Sequence, residues 1–120
     1  MGLKPFWLHS REMQSIAIVL RIAGDRVPEF EAMFAAEEIP IWDDFTARGL
    51  FTDCSLTRVT GGGEAPEGIQ DYVLHIVATE EGHTAHDHDP RFKAFLERAQ
   101  KLQPIQPLVW FGDPIFERRA

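Results

Sequence analysis

The period of the hydrophobic pattern in this chain alternates in one order, and that order leaves few folds open. Ser15 to Ile22 (SIAIVLRI) repeats every second residue, with Ile16, Ile18, Leu20 and Ile22 on a bulky face and Ala17, Val19 and Arg21 on a lighter one, as a β-strand requires. Val27 to Glu38 then repeats every third or fourth residue through Val27, Phe30 and Phe34. Pro40 is expected to interrupt that helix, with a second helical piece from Ile41 to Arg48 that ends at Gly49. Leu50 to Thr60 reads as a second strand, Gly61 to Gly68 as a flexible connection and Ile69 to Thr79 as a third strand. Tyr72, Leu74, Ile76 and Ala78 share one face of that third strand. A second helix follows over residues 84–102. In it Phe92, Phe95, Leu96, Ala99 and Leu102 fall on one face, behind an Asp89 cap and a Pro90 in the first helical position. Leu108 to Gly112, resuming through Phe116, is expected to be the last strand.

Strand, helix, strand, strand, helix, strand is a split βαβ arrangement. It predicts an α+β, ferredoxin-like fold: a four-stranded antiparallel sheet with its helices on one face. The bulky strand faces meet Phe30, Phe34, Phe92 and Phe95. The lighter face, read as Ala17, Val19, Val73, Val77, Val109 and Phe111, would remain wet in a monomer. A second copy of the sheet is its simplest cover, so a homodimer through the sheet face is expected.

At 120 residues the chain has the length of one domain, placed at 14–120, with residues 1–13 as an N-terminal extension carrying Phe6, Trp7 and Leu8, or as a leader if Met13 is the true start. A net charge of −7 without a basic stripe argues against nucleic acid. No apolar run approaches the roughly 18 to 20 residues of a membrane span, and no signal peptide is read at the start. A lone Cys54 permits no internal disulfide and fits a cytoplasmic location.

Five histidines carry the candidate chemistry, and His83, His86 and His88 cluster with Asp87 and Asp89 at the beginning of the second helix. Imidazole and carboxylate suit a metal, but the spacing matches no helical His pair with an intervening Glu, so no metal is assigned and the cluster reads as a solvated helix start. His75 is read as a histidine at the subunit interface, with Arg21 and Asp53 as potential partners. Trp42, Trp110 and Tyr72 are candidates to line a ligand pocket, and the same spacing serves a core. Asp89-Pro90-Arg91-Phe92 reads as cap, first-turn proline, solvated Arg and core Phe. Gly61 to Gly63 lacks the Lys-Ser/Thr of a phosphate-binding loop.

In residues 14–112 the pattern resembles the dimeric α/β-barrel superfamily, and looks closest to the stress-responsive A/B-barrel proteins and the plant polyketide cyclases related to them. His86 with Phe92 six positions later has the spacing of the His that opens the second helix in those relatives. Their second His, early in the first strand, corresponds to Ile16, and their assisting Tyr falls nearest Glu80, so only His86 carries over. Two readings follow. The first is a cofactor-free enzyme of the cyclase, isomerase or monooxygenase type, acting on a small hydrophobic or aromatic molecule. His86 would be its acid–base group, with Tyr72, Trp42, Phe45, Phe34 and Trp110 around the substrate. The second is a non-catalytic, stress-responsive dimer that binds a small ligand. A cavity of about 300 Å³ or more beside His86 favours the first, and a space plugged by Phe30, Phe34 and Trp42 favours the second. For His86 to reach a cavity, the chain has to turn between residues 86 and 90. An unbroken helix would point it to water.

Overall fold

The computed structural model describes residues 13–118, so the expected N-terminal extension lies outside the described residues up to Met13. Four strands, β1 (Met13–Ala23), β2 (Phe51–Arg58), β3 (Ile69–Thr79) and β4 (Leu108–Gly112), pair antiparallel in the order β2-β3-β1-β4. The helices are α1 (Val27–Met33), α2 (Ile39–Ala47), α3 (Glu80–His88) and α4 (Pro90–Ala99). This is the expected α+β, ferredoxin-like arrangement. Its core lies between one sheet face and the helices, where Ile16, Ile22, Tyr72, Leu74 and Ile76 meet Phe30, Phe34, Phe45 and Phe95.

Pro40 does not interrupt the first helical segment. Residues 34–38 widen into a π-helical turn in which the Ile39 N–H donates to the Phe34 carbonyl, five residues back, and the helix runs on as α2. In a regular α-helix the proline ring would strike the carbonyl four residues earlier, and no N–H would reach it. The wider turn removes that conflict, which is why the chain stays helical.

The second helical segment does break where its cap predicts, although it begins earlier than expected. Thr79 caps α3, its hydroxyl accepting from the Gly82 N–H at 2.9 Å. Asp89 leaves the helix at φ −67°, ψ 126°, and its carboxylate accepts from the Arg91 N–H at 2.8 Å to start α4 at Pro90. Asp89 is therefore both the end of α3 and the cap of α4. Gly82 lets α3 lie against Leu50, since a Cβ there would come within 2.5 Å of the Leu50 carbonyl oxygen.

The sheet register corrects one expectation about faces. Ile16 stands opposite Phe111 and Ile18 opposite Val109, while Ala17 stands opposite Trp110 and Val19 opposite Leu108. Residues directly opposite share a face, so Val109 and Phe111 look toward the helices and Leu108 and Trp110 toward the outer face. β4 also stops at Gly112 instead of resuming through Phe116, which is exposed. The outer face thus presents Ala17, Val19, Val73, Val77, Leu108 and Trp110. Two polar pairs lie among them: Ser15 Oγ with His75 Nε2 at 2.9 Å, and Arg21 with Asp71 at 3.1 Å. Arg21 and Asp53 were expected near His75, but Ser15 is its partner and Asp71 holds Arg21.

Candidate functional site

A cavity of about 720 Å³ opens between the inner sheet face and the helices. Ile16 and Ile18 of β1 form its floor, Phe34, Phe92 and Phe95 its helical wall, and Val109 and Phe111 of β4 its far side. Its volume lies within the ordinary range for small-molecule sites, and its lining is mostly apolar. Phe30 and Phe34 line it without filling it.

The polar groups at this cavity are Glu38, His83, His86, Asp87 and a set of glutamines on the α4–β4 connection. His86 is buried, as the break at Asp89 allows. The α3 axis ends there and α4 departs in a new direction, so the imidazole is not carried out to solvent. Its ring packs on Phe92 at 4.1 Å, Phe51 at 5.6 Å and Phe45 at 5.9 Å. Its Nε2 lies 2.5 Å from Glu38 Oε1. Its Nδ1 lies 3.7 Å from Asp87 Oδ1, so a carboxylate stands beside each ring nitrogen. Glu38 is only 2% exposed, and among the described residues its Oε2 has no hydrogen-bond partner. The site therefore holds a buried acid–base pair with one carboxylate oxygen unspent.

Of the other two clustered histidines, His83 borders the same cavity and shares Asp87 with His86, while His88 lies apart. His83 bonds Gln14 through Nδ1 at 2.7 Å, lies 3.3 Å from Asp87 through Nε2 and stacks near Phe111. The exposed His88 donates back to the Thr84 carbonyl. Arg91 is held at the surface by Asp89 and Asp44, each at 2.8 Å, away from the cavity. Among the described residues, no group of three or more His, Cys, Asp or Glu is placed to hold a metal.

Of the aromatic residues expected around a substrate, Phe34 lines the cavity and the others do not. Trp42 stands behind Phe34, with ring centroids 5.2 Å apart, and Phe45 backs His86. Tyr72 is buried under Phe30 at 4.9 Å, and its hydroxyl donates to Glu31 at 2.5 Å. Glu31 is in turn gripped by the Arg58 guanidinium. Burial, and then the Glu31 carboxylate, push the Tyr72 phenol up to about 12. Tyr72 is thus a structural strut joining β3, α1 and β2. Trp110 lies on the outer face, more than half exposed, because the register of β4 turns it away from the helices.

Glu38 is the site residue that the sequence analysis missed. It falls four residues after Phe34 and eight after Phe30, inside the apolar stripe that Ile41, Trp42 and Phe45 continue. A carboxylate in the middle of such a stripe was the available signal. Ending the helix at Pro40 hid it, because the stripe then seemed to stop where Glu38 stood.

No family model matches this sequence, and none of the curated proteins compared with it gives a match. Solved structures do match in fold. A Caulobacter crescentus protein provisionally named an antibiotic biosynthesis monooxygenase superposes with a TM-score of 0.66 at 17% identity, over 93% of this chain and 100% of its own. One from Bordetella bronchiseptica with the same provisional name gives 0.64 at 19% identity, over 88% and 100%. A third so named, from Nitrosomonas europaea, gives 0.68 at 8% identity, over 88% and 92%. At these identities the likeness is one of fold: the chain shares the α+β, ferredoxin-like fold of these proteins.

Proposed function

We propose that this chain is a cofactor-free enzyme that moves a proton on a small hydrophobic or aromatic molecule, with His86 as its acid–base group. The buried His86–Glu38 pair, opening on an apolar cavity of about 720 Å³, carries this reading. Burial excludes water, Glu38 orients the imidazole, and the Phe and Ile walls suit a flat apolar ligand. Removing a proton from an acidic O–H or C–H is the step that cyclisation, isomerisation and cofactor-free oxygenation share. The provisional naming of the fold neighbours as monooxygenases supports the last of these, with molecular oxygen as the second substrate. The non-catalytic ligand-binding reading uses the same cavity, but gives no reason for a hydrogen-bonded acid–base pair at its wall.

The test is turnover of a panel of phenols, hydroquinones and 1,3-diketones, followed by chromatography and oxygen uptake. His86→Ala is expected to abolish any turnover found while leaving the fold intact, whereas His83→Ala and His88→Ala retain it. Turnover that survives His86→Ala would refute the acid–base assignment. Binding without turnover across the panel would favour the ligand-binding reading. We further propose that the working form is a homodimer closed through the outer sheet face, where Val73, Leu108 and Trp110 remain exposed in the single protomer, and that it acts in the cytoplasm. No helix among the described residues is long and apolar enough to cross a membrane.

A further inference from the structure

We propose that the cavity takes an elongated ligand whose far end carries a neutral carbonyl group, and that the side-chain amide of Gln103 selects it. The proposal rests on the cavity being the binding site, and it adds a second, uncharged recognition point remote from His86.

The cavity has a direction. Its floor follows β1 through Ile16, Ile18 and Leu20, a span of about 13 Å at roughly 3.3 Å per residue. At the Ile16 end stand the titratable groups: His83 bonds Gln14 at 2.7 Å, and His83 and His86 share Asp87. At the Leu20 end stand Gln100, Gln103 and Gln106, on the connection from α4 to β4. Among the described residues no Lys or Arg lines the cavity. The two ends therefore differ in kind: one can exchange a proton, and the other offers uncharged amides.

Gln103 is held in one orientation. The pairing of β1 with β4 ends at Val19 opposite Leu108, so beyond it that edge of β1 has no strand partner. The Arg21 N–H donates instead to Gln103 Oε1 at 3.3 Å. A backbone N–H can only donate, which fixes the amide oxygen on β1 and leaves Nε2 as the free end. Nε2 bonds nothing among the described residues, and half-buried Gln103 lines the cavity. Amide N–H donors without a partner call for an acceptor oxygen. A carboxylate or phosphate is the wrong complement. It would leave water with no cation to meet it, and with Glu38 and Asp87 at the other end of a cavity in a chain of net negative charge. A neutral carbonyl accepts the bond without that cost, and the apolar frame behind it lies against Ile18, Phe92 and Phe95 toward His86.

The test titrates three probes calorimetrically into wild type and into Gln103→Glu: 4-phenyl-2-butanone, its hydrocarbon counterpart butylbenzene, and the carboxylate 4-phenylbutanoate. Gln103→Glu keeps an oxygen for the Arg21 N–H and puts a second oxygen where the NH₂ donors stood. The ketone-to-hydrocarbon affinity ratio is expected to fall about 10-fold, since one hydrogen bond is lost and an acceptor now meets the carbonyl. Gln103→Leu, which removes the donors without adding a charge, is expected to lower it about 3-fold. Gln103 lies outside every helix and strand, so both variants should fold, and urea unfolding checks it. If one fails to fold, the other decides. A ratio unchanged from wild type, with both probes bound, overturns the role of Gln103 and leaves the cavity reading standing. Tighter binding of 4-phenylbutanoate than of the ketone to wild type overturns the neutral class. Failure of wild type to bind any of the three overturns the cavity reading and this proposal with it.

Discussion

Gly82→Ala sets two physical effects of opposite sign against each other, and the packing of α3 determines which prevails. On helix propensity alone the substitution should stabilise by about 1 kcal/mol, because glycine is the poorer helix former. The added Cβ would, however, stand 2.5 Å from the Leu50 carbonyl oxygen and 2.9 Å from the Leu50 Cβ. That oxygen cannot easily give way, since it accepts the Thr79 N–H at 2.9 Å in the ladder joining β3 to the start of β2. Helix α3 has to move instead, by about 0.8 Å or more, to restore an ordinary C···O separation of roughly 3.3 Å. Overpacking of this kind costs about 1–3 kcal/mol. Disturbing the Thr79 cap on the Gly82 N–H adds about 1 kcal/mol. Net of propensity, a loss of about 1–3 kcal/mol is expected, seen as a fall of about 1 M in the urea midpoint. His86 lies one turn further along the same helix face, so the shift disturbs the fit of its ring to Glu38. A displacement near 1 Å at a reacting group costs about 100-fold in rate. Urea unfolding followed by tryptophan fluorescence measures the first effect, and turnover of any substrate found in the panel the second. A variant as stable as wild type, or more so, would refute the claim that α3 is pinned against Leu50.

Phe95→Ala removes a ring that is 5% exposed and meets Phe34 edge-on at 5.8 Å. Because Phe95 already borders the cavity, the vacated space joins an existing one, and the loss should sit near the lower end of the usual range, about 3 kcal/mol by urea unfolding. An unchanged midpoint would show the α4 face to be misassigned. Asp89→Ala should cost about 1 kcal/mol at neutral pH through loss of the α4 cap. The Arg91 guanidinium holds the Asp89 carboxyl below its usual range, so its contribution is complete above the ordinary value of about 3.9 and is lost as pH falls through the lower folded one. The stability gap between wild type and Asp89→Ala should therefore close in acid, and a gap independent of pH would count against the Arg91 contact. Light scattering should return twice 13.7 kDa for the wild type, and Val73→Asp should dissociate or unfold that dimer. A clean wild-type monomer would defeat the homodimer reading.

What could be read in the sequence was local, and what escaped was set by pairing at a distance. Asp89 followed by Pro90 carries its own instruction, a cap and a residue suited to the first helical turn, so the break that brings His86 inward was visible in adjacent residues. Strand β3 was legible for the same reason: its alternation and its bounds, Ile69–Thr79, lie within the segment itself. The faces of β4 were not legible. Five residues of mixed apolar character point either way until the pairing of Ser15 with Gly112 assigns a register, and one step of slip exchanges Trp110 with Phe111. Pro40 misled because its usual effect assumes a regular α-helix, while the π turn at 34–38 provides the one local geometry that accommodates it. That accommodation matters to the site. It keeps Phe30, Phe34, Glu38 and Trp42 on one continuous segment, so a carboxylate sits where the pattern asks for a hydrophobe. Its compensation comes from His86, 48 residues away and on another helix. Neither residue explains itself in isolation: the Glu is too buried to be surface charge, and the His too distant to be its helical neighbour. Once the fold brings them together, the His answers one carboxylate oxygen, and the other stays buried without a partner among the described residues.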